Sequence, residues 1–353
     1  MLDVAFAVPG DLSSPTGGYA YARKLLALAP NHGVNLVHLE LPCGFPHPNA
    51  QDLAETERRL ASAAAPVLLV DGLAYGALPA DLVRRLPPKK IVALVHHPLG
   101  FENGLTPQRR AALLACERDA LAEAARVIAS SFFTARLLVS DFAVPAEKIE
   151  VAEPGTEPAA RARGTGDPVS LLAVGAVSPR KGYEVLVRAL ADLRGLDWRL
   201  TLAGSLDRDP QAAASLRRAV AEAGLSGRVV LAGAVAAAEL ERLYDAADVF
   251  VSPSLFEGYG MVLAEAMARG LPVVAATGGA AAETVPDEAA LKVPPGDVPA
   301  LRDALRDMIA DPGLRRARAD AAWAAGQALP RWPDTAAKVA VVLKGVASRE
   351  AAR

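Results

Sequence analysis

The sequence predicts an α/β protein built from two doubly wound parallel-sheet domains, and three observations carry that expectation. Short β-branched apolar runs alternate with helical stretches along the chain, the alternation that a parallel sheet covered by helices requires. The 353 residues are 52% apolar and 22% charged, an ordinary globular mix with the length of two domains. Midway, a stretch rich in Gly and Pro at 154–168 reads as a linker.

Composition narrows the function classes. A formal net charge of -2 offers no pull on nucleic acid. Cys43 and Cys116 lie far apart with no C-x-x-C, so neither a disulfide framework nor a zinc site is expected, and a reducing, cytoplasmic compartment fits. Met1-Leu2-Asp3 lacks the basic start of a signal peptide. No apolar run approaches the ~20 residues that span a bilayer, so a soluble protein is expected. Arg84, Arg85, Lys89 and Lys90 cluster in the first domain, an arrangement that suits peripheral contact with the inner face of a membrane but is more often a solvated face.

Taken in order, residues 2–8 are a strand closed by Pro9-Gly10, Ser14-Pro15-Thr16-Gly17-Gly18 is a glycine loop, and 19–29 is a helix with Leu25, Leu26 and Leu28. The loop has neither G-x-G-x-x-G nor G-x-x-x-x-G-K-[ST], which removes support for dinucleotide and P-loop readings. Runs at 34–39, 67–70 and 91–95 are further strands. His96-His97-Pro98-Leu99-Gly100-Phe101-Glu102 follows the last of these, at the carboxyl end of a strand, where open α/β sheets bind ligands. A helix at 109–125 and a strand at 126–129 precede Ser130-Ser131-Phe132-Phe133-Thr134, a helix cap to which no chemistry is assigned. A strand near 148–151 closes the first domain.

The second domain opens with a strand at 169–174, then Gly175-Ala176-Val177-Ser178-Pro179-Arg180-Lys181-Gly182 and a helix at 183–193. Cations beside a helix N-terminus oppose its dipole unless an anion joins them, so the placement of Arg180 and Lys181 points to a phosphate ligand. Strands at 200–203 and 228–231 follow, the second leading into Gly233-Ala234-Val235. Asp207 and Asp209 form a D-x-D, a pattern too short to carry a metal site without further ligands, so no metal is assigned. A strand at 272–276, a final pair of helices after Pro294-Pro295-Gly296-Asp297, and a last helix from 334 complete the chain.

The chemistry concentrates at 252–270. A strand at 248–251 enters a loop with Gly258 and Gly260, and Val262, Leu263, Ala266 and Met267 then recur at helical spacing up to Gly270. The glycines let the backbone approach a ligand, and the first helical amides lack intrahelical acceptors, so the loop suits a phosphate. Glu257 and Glu265 stand at most ~12 Å apart along the axis. That is wide for a hydrolytic pair at ~5–9.5 Å and suited to the hydroxyls at two ends of one long polar ligand.

The frame S-L-F-E-G-Y-G-x-V-L-A-E-A-M-A-x-G-x-P-V-V-A, with its E-x7-E pair, resembles the donor-site signature of the retaining GT-B glycosyltransferases of family 4, the glycosyl transferases group 1. The resemblance implies two Rossmann-like domains facing a central cleft. An acceptor domain would span 1–160, with a helix at 334–353 crossing back onto it, and a nucleotide-sugar donor domain would span 167–333. By motif position it implies that Glu257 contacts the transferred sugar, that Glu265 holds the ribose, and that Lys181 holds the donor diphosphate. Ala176 departs from the family frame where an Arg is usual, and Arg180, as in a P-R-K variant, would take over. His96 would meet the sugar, Gly17 and Gly18 would border the cleft, and Gly258, Tyr259, Gly260, Met261 and Val235 would line the donor. Thr277-Gly278-Gly279-Ala280, followed by Glu283, is similar to the family's G-G-x-P-E segment. The implied reaction is retaining, metal-independent hexosyl transfer to a lipid or saccharide acceptor. Its donor, a UDP- or GDP-linked sugar, is a substrate and not a cofactor. The alternative is a non-catalytic nucleotide-sugar binder, or an epimerase or phosphorylase on the same architecture.

Overall fold

The computed structural model describes residues 1–87, 90–102 and 104–348, so Lys89 of the basic cluster and residues 349–353 of the expected last helix lie outside it. The chain divides into two compact units, Met1–Gly155 with Pro330–Arg353, and Thr156–Leu329.

The first unit is built on β1 (Leu2–Pro9), β2 (Val34–Leu41), β3 (Val67–Asp71), β4 (Lys90–Val95), β5 (Arg126–Ala129) and β6 (Ile149–Val151), in the order β2-β1-β3-β4-β5-β6. Every pairing is parallel. Val4 to Val8 are all buried, and so are all five residues of β3, because an interior parallel strand is covered on both faces. The Trp332–Ser348 helix belongs to this unit. Trp332 meets Tyr21 edge-on at 5.6 Å, and Thr335 donates its hydroxyl proton to the Glu153 carbonyl at 2.7 Å.

The second unit repeats the plan with β7 (Val169–Val174), β8 (Trp198–Ala203), β9 (Val229–Gly233), β10 (Val249–Ser252), β11 (Val273–Ala276) and β12 (Ala290–Val293), in the order β12-β11-β10-β7-β8-β9. β8 starts two residues earlier than the apolar run predicts, because Trp198 is fully buried and its indole donates to the Leu193 carbonyl at 2.8 Å. The edge strand β12 is not announced by the sequence. Lys292 interrupts its short apolar run, and an edge tolerates this because the ammonium bonds the Ala282 carbonyl at 2.7 Å and pairs with Asp287. The Gly- and Pro-rich stretch after Thr156 is docked on this unit: Arg163 pairs with Asp245, and Asp248 accepts the amides of Thr165, Gly166 and Ser170 at 3.2, 3.0 and 2.8 Å.

This topology positions a site. From β7 the chain builds outward to β8 and β9, then returns to the other side of β7 as β10. The loops after β7 and β10 therefore diverge at a topological switch point, where open α/β sheets take their ligands.

Candidate active site

The loop after β7 carries Arg180 and Lys181. Gly175 has φ 146°, and a Cβ there would stand 2.7 Å from Lys181 Cε, so the lysine stem runs across a residue that must lack a side chain. Pro179–Lys181 forms one 3-10 turn, stopped by Gly182 in the left-handed region. A Cβ at Gly182 would meet the Pro253 carbonyl oxygen at 2.2 Å, so the β7 and β10 loops touch backbone to backbone. Leu255 N–H donates to the Arg180 carbonyl at 2.8 Å and closes the junction.

Glu257 sits at the centre of these loops. Its backbone bridges to Gly279 in the loop after β11: Glu257 N–H donates to the Gly278 carbonyl at 3.1 Å, and its own carbonyl accepts from Ala280 N–H at 2.8 Å. Lys181 Nζ lies 2.6 Å from Oε1 and Arg180 Nη1 lies 3.2 Å from Oε2, while the same guanidinium nitrogen donates to the Phe256 carbonyl at 2.7 Å. The sequence places Glu257 on a loop, and the structure buries it to 6% exposure, because backbone from three loops closes around it. Burial alone would raise its pKa, but the charges of Lys181 and Arg180, with hydrogen bonds from Lys181 and Ser254, outweigh it and bring the carboxyl to about 2. Two cations and one carboxylate leave the triad with one formal positive charge. Arg180, not a residue at position 176, brings the guanidinium to this carboxylate.

Glu265 projects from the Met261–Ala268 helix, which Gly260 opens with φ 92°. The side chain is partly exposed, and Tyr244 donates its phenol proton to Oε2 at 2.9 Å. Burial pushes the Glu265 pKa up against the pull of Tyr244, Arg269 and Lys181. The Lys181 charge is thus felt by both carboxylates. Tyr259 is buried and its carbonyl accepts from the Thr284 hydroxyl, Met261 is partly exposed at the helix start, and Val235 is partly exposed just beyond β9.

In the first unit, Thr16 caps the Gly17–Leu28 helix, and His96 follows β4. A Cβ at Gly18 would lie 3.4 Å from His96 Cδ2, so the imidazole packs on bare backbone. Tyr21 meets the His96 ring edge-on at 5.2 Å, and Asp71 Oδ2 stands 3.3 Å from His96 Nε2 without hydrogen-bond alignment. His97 instead pairs with Glu102 at 2.7 Å, so of the two histidines it is His96 that joins Gly18. Ser130 donates to the His96 carbonyl at 2.8 Å and Ser131 caps the next helix. The sequence reading missed Asp71 and Glu117. Glu117 is buried, accepts the Leu99 amide at 2.8 Å, and has its carboxyl pushed up to about 8 by burial.

Asp209 accepts the Ala212 amide at 2.9 Å as the cap of the Pro210–Glu222 helix. No group of three or more His, Cys, Asp or Glu placed to hold a metal ion occurs among the described residues. Arg84 pairs with Glu123, and Arg85 with Glu57 and Asp81, so both arginines of the basic cluster meet local carboxylates. No helix among the described residues is long and apolar enough to cross a membrane.

Residues 168–311 match the family described as glycosyl transferases group 1. Over 294 residues the chain is 34% identical to the GDP-mannose-dependent alpha-(1-6)-phosphatidylinositol monomannoside mannosyltransferase of Mycolicibacterium smegmatis, which takes in 76% of this chain and 74% of that protein. It is 38% identical over 167 residues to the D-inositol 3-phosphate glycosyltransferase of Pseudarthrobacter chlorophenolicus, spanning 43% of this chain and 39% of that protein's length. Sucrose-phosphate synthase from Thermosynechococcus elongatus superposes with a TM-score of 0.84 at 22% identity, covering 99% of this chain and 100% of that one. A glycosyltransferase from Rickettsia africae gives 0.75 at 18% identity, covering 98% of each chain. At those identities the likeness concerns the fold alone, and that fold is the two-domain GT-B architecture.

Proposed function

The chain belongs to the glycosyl transferases group 1 family, and from that premise we propose that it moves a hexosyl group, with retention, from a nucleotide-diphospho-sugar held by the β7 and β10 loops of the second unit. The observation that carries this reading is the buried Glu257 gripped by Arg180 and Lys181 at the sheet's switch point, with Glu265 in the field of the same lysine. The surplus positive charge and the helix opened by Gly260 receive the diphosphate, Glu257 orients the sugar, and Glu265 takes the ribose. Stabilising the departing diphosphate by fixed cations is an electrostatic contribution that can dominate a barrier. With its pKa near 2 and both oxygens engaged, Glu257 is a poor proton acceptor at neutral pH. The leaving phosphate is then the base that receives the acceptor's proton, on the same face of the sugar. In this reading Gly17, Gly18 and His96 of the first unit serve the acceptor. Arg180 and Lys181 supply the charge that a divalent metal would otherwise bring, so transfer is metal-independent.

The 34% identity to a GDP-mannose-dependent mannosyltransferase makes GDP-mannose the first donor to test, and an inositol-bearing glycolipid or polyol phosphate the first acceptor class. Thermal unfolding with uridine, guanosine, adenosine and thymidine diphosphates tests the donor site. One diphosphate, at ~100 times its Kd, should stabilise by ~2.7 kcal/mol and raise Tm by several degrees, well beyond its monophosphate. The matching sugar nucleotide should then release that diphosphate only as glycosylated acceptor forms. A shift with NAD and none with any nucleoside diphosphate would overturn the reading. Binding without turnover would leave the non-catalytic alternative.

A further inference from the structure

Behind Glu265 stands a layer of side chains that the donor-site reading does not use. Tyr244, on the Ala237–Ala246 helix, is 1% exposed and donates its phenol proton to Glu265 Oε2 at 2.9 Å. A buried tyrosine of this kind needs a partner for its hydroxyl, and here the partner is a single carboxylate oxygen. The ring has two further neighbours. It stacks on Phe250 of β10 with centroids 6.0 Å apart and planes 20° from parallel, and Arg269 lies over it with Cζ 4.5 Å from the centroid. Arg269 is held by an ion pair to Glu241 and donates from Nη1 to the Glu265 carbonyl at 2.9 Å. The guanidinium therefore fixes both the phenol and the backbone from which Glu265 projects.

The consequence is an asymmetric carboxylate. Oε2 is taken by the phenol, while no hydrogen bond reaches Oε1 among the described residues and the side chain stays partly exposed. A glutamate that must find its rotamer on binding loses entropy that a pre-set one does not. We infer, resting on the donor-site reading above, that Tyr244 is a positioning residue for ribose recognition: its phenol locks Glu265 so that Oε1 is presented to the vicinal hydroxyls of the donor's ribose. Discrimination between ribose and deoxyribose then runs through a residue that never touches the nucleotide. Phe250 acts only to hold the phenol, whereas Arg269 holds both the phenol and the Glu265 carbonyl.

Calorimetric binding of GDP and UDP, each beside its 2′,3′-dideoxy counterpart, to the full chain tests this. The wild type should bind the better of the two ribonucleotides about tenfold or more tightly than its dideoxy form, the range expected when a carboxylate loses its hydroxyl donors. Tyr244→Phe keeps the ring and its stacking. It should weaken the ribonucleotide about tenfold, leave the dideoxy form unchanged, and raise KM with kcat retained. Glu265→Gln should abolish the discrimination, and adding Tyr244→Phe to it should change nothing further. Equal weakening of both nucleotides by Tyr244→Phe, or full discrimination retained in that variant, overturns the inference while the donor site stands. A wild type that binds ribo and dideoxy forms alike overturns the ribose role of Glu265 and the inference with it, and one that binds no nucleoside diphosphate at all overturns the donor-site reading as well.

Discussion

Lys181 Nζ stands 2.6 Å from Glu257 Oε1, although 76 residues separate the two in the chain. The contact joins the first and fourth strands of the second sheet through their carboxyl-end loops, and it sets opposite consequences for its two partners. Removing the lysine leaves a buried carboxylate with Arg180 as its remaining cation, whereas removing the carboxylate's charge raises the triad from one formal positive charge to two.

Lys181→Ala is therefore expected to destabilise the second unit by roughly 3–5 kcal/mol, the scale for a broken buried pair, and to lower transfer by about 10²-fold or more. Glu257→Gln is expected to hold or tighten nucleoside diphosphate binding while transfer still falls by about 10²-fold, since binding and chemistry ask different things of this carboxylate. Calorimetric Kd values beside turnover rates check both. Near wild-type turnover in either variant would remove these residues from the donor site.

The proposal that transfer needs no metal makes a separate prediction. Asp209 Oδ1 accepts the Ala212 amide as a helix cap, so one of the two D-x-D carboxylates serves local structure. Turnover should be the same with and without a chelator, and Asp207→Ala should retain wild-type rates. Activity lost to the chelator, restored by manganese and absent in Asp207→Ala would reverse that assignment.

How much of this was legible in the sequence varies with the range of the interactions. Strands such as β1 and β3 declare themselves because an interior parallel strand must be apolar on both faces, whereas Lys292 hides β12 at the edge. The glycine and carboxylate frame at 252–270 located the candidate site through its resemblance to a family. The burial of Glu257 was not legible, because it depends on Arg180, Lys181 and the Gly278 carbonyl, all remote in sequence. Tyr244 reads as an ordinary helix aromatic, and only its full burial shows that the hydroxyl requires a partner. Glu117 did leave a trace: it falls at helical spacing with Leu113, Ala120 and Leu121, all core residues, where an acid is out of place.

Glu117 carries the last prediction. It is 1% exposed on the Pro107–Glu123 helix, with Oε2 accepting the Leu99 amide at 2.8 Å and Oε1 buried without a partner among the described residues. A Cβ at Gly76 would come within 2.8 Å of Oε1, so the helix and the turn after β3 leave no room for a compensating side chain there. Burial raises the carboxyl from 4.5 to about 8, with only the Leu99 amide opposing. Below pH 4.5 the group is neutral in folded and unfolded chains alike and contributes no pH dependence. Between pH 4.5 and about 8 the unfolded chain gives up its proton while the folded chain keeps it, so stability falls as pH rises, and above that window the full penalty persists. The slope from one such group is ~1.4 kcal/mol per pH unit. Glutamine in its place keeps an oxygen for the Leu99 amide and has no proton to lose. Any cost of its buried NH2 is the same at every pH. Urea unfolding of wild type and Glu117→Gln at pH 5 and pH 8 should therefore show the variant gaining on the wild type by several kcal/mol between the two conditions, in the transition of the first unit. Parallel behaviour of the two proteins across that window would mean that the carboxyl ionises in place, and that the loop from His96 to Glu102 rests on a charged and not a neutral Glu117.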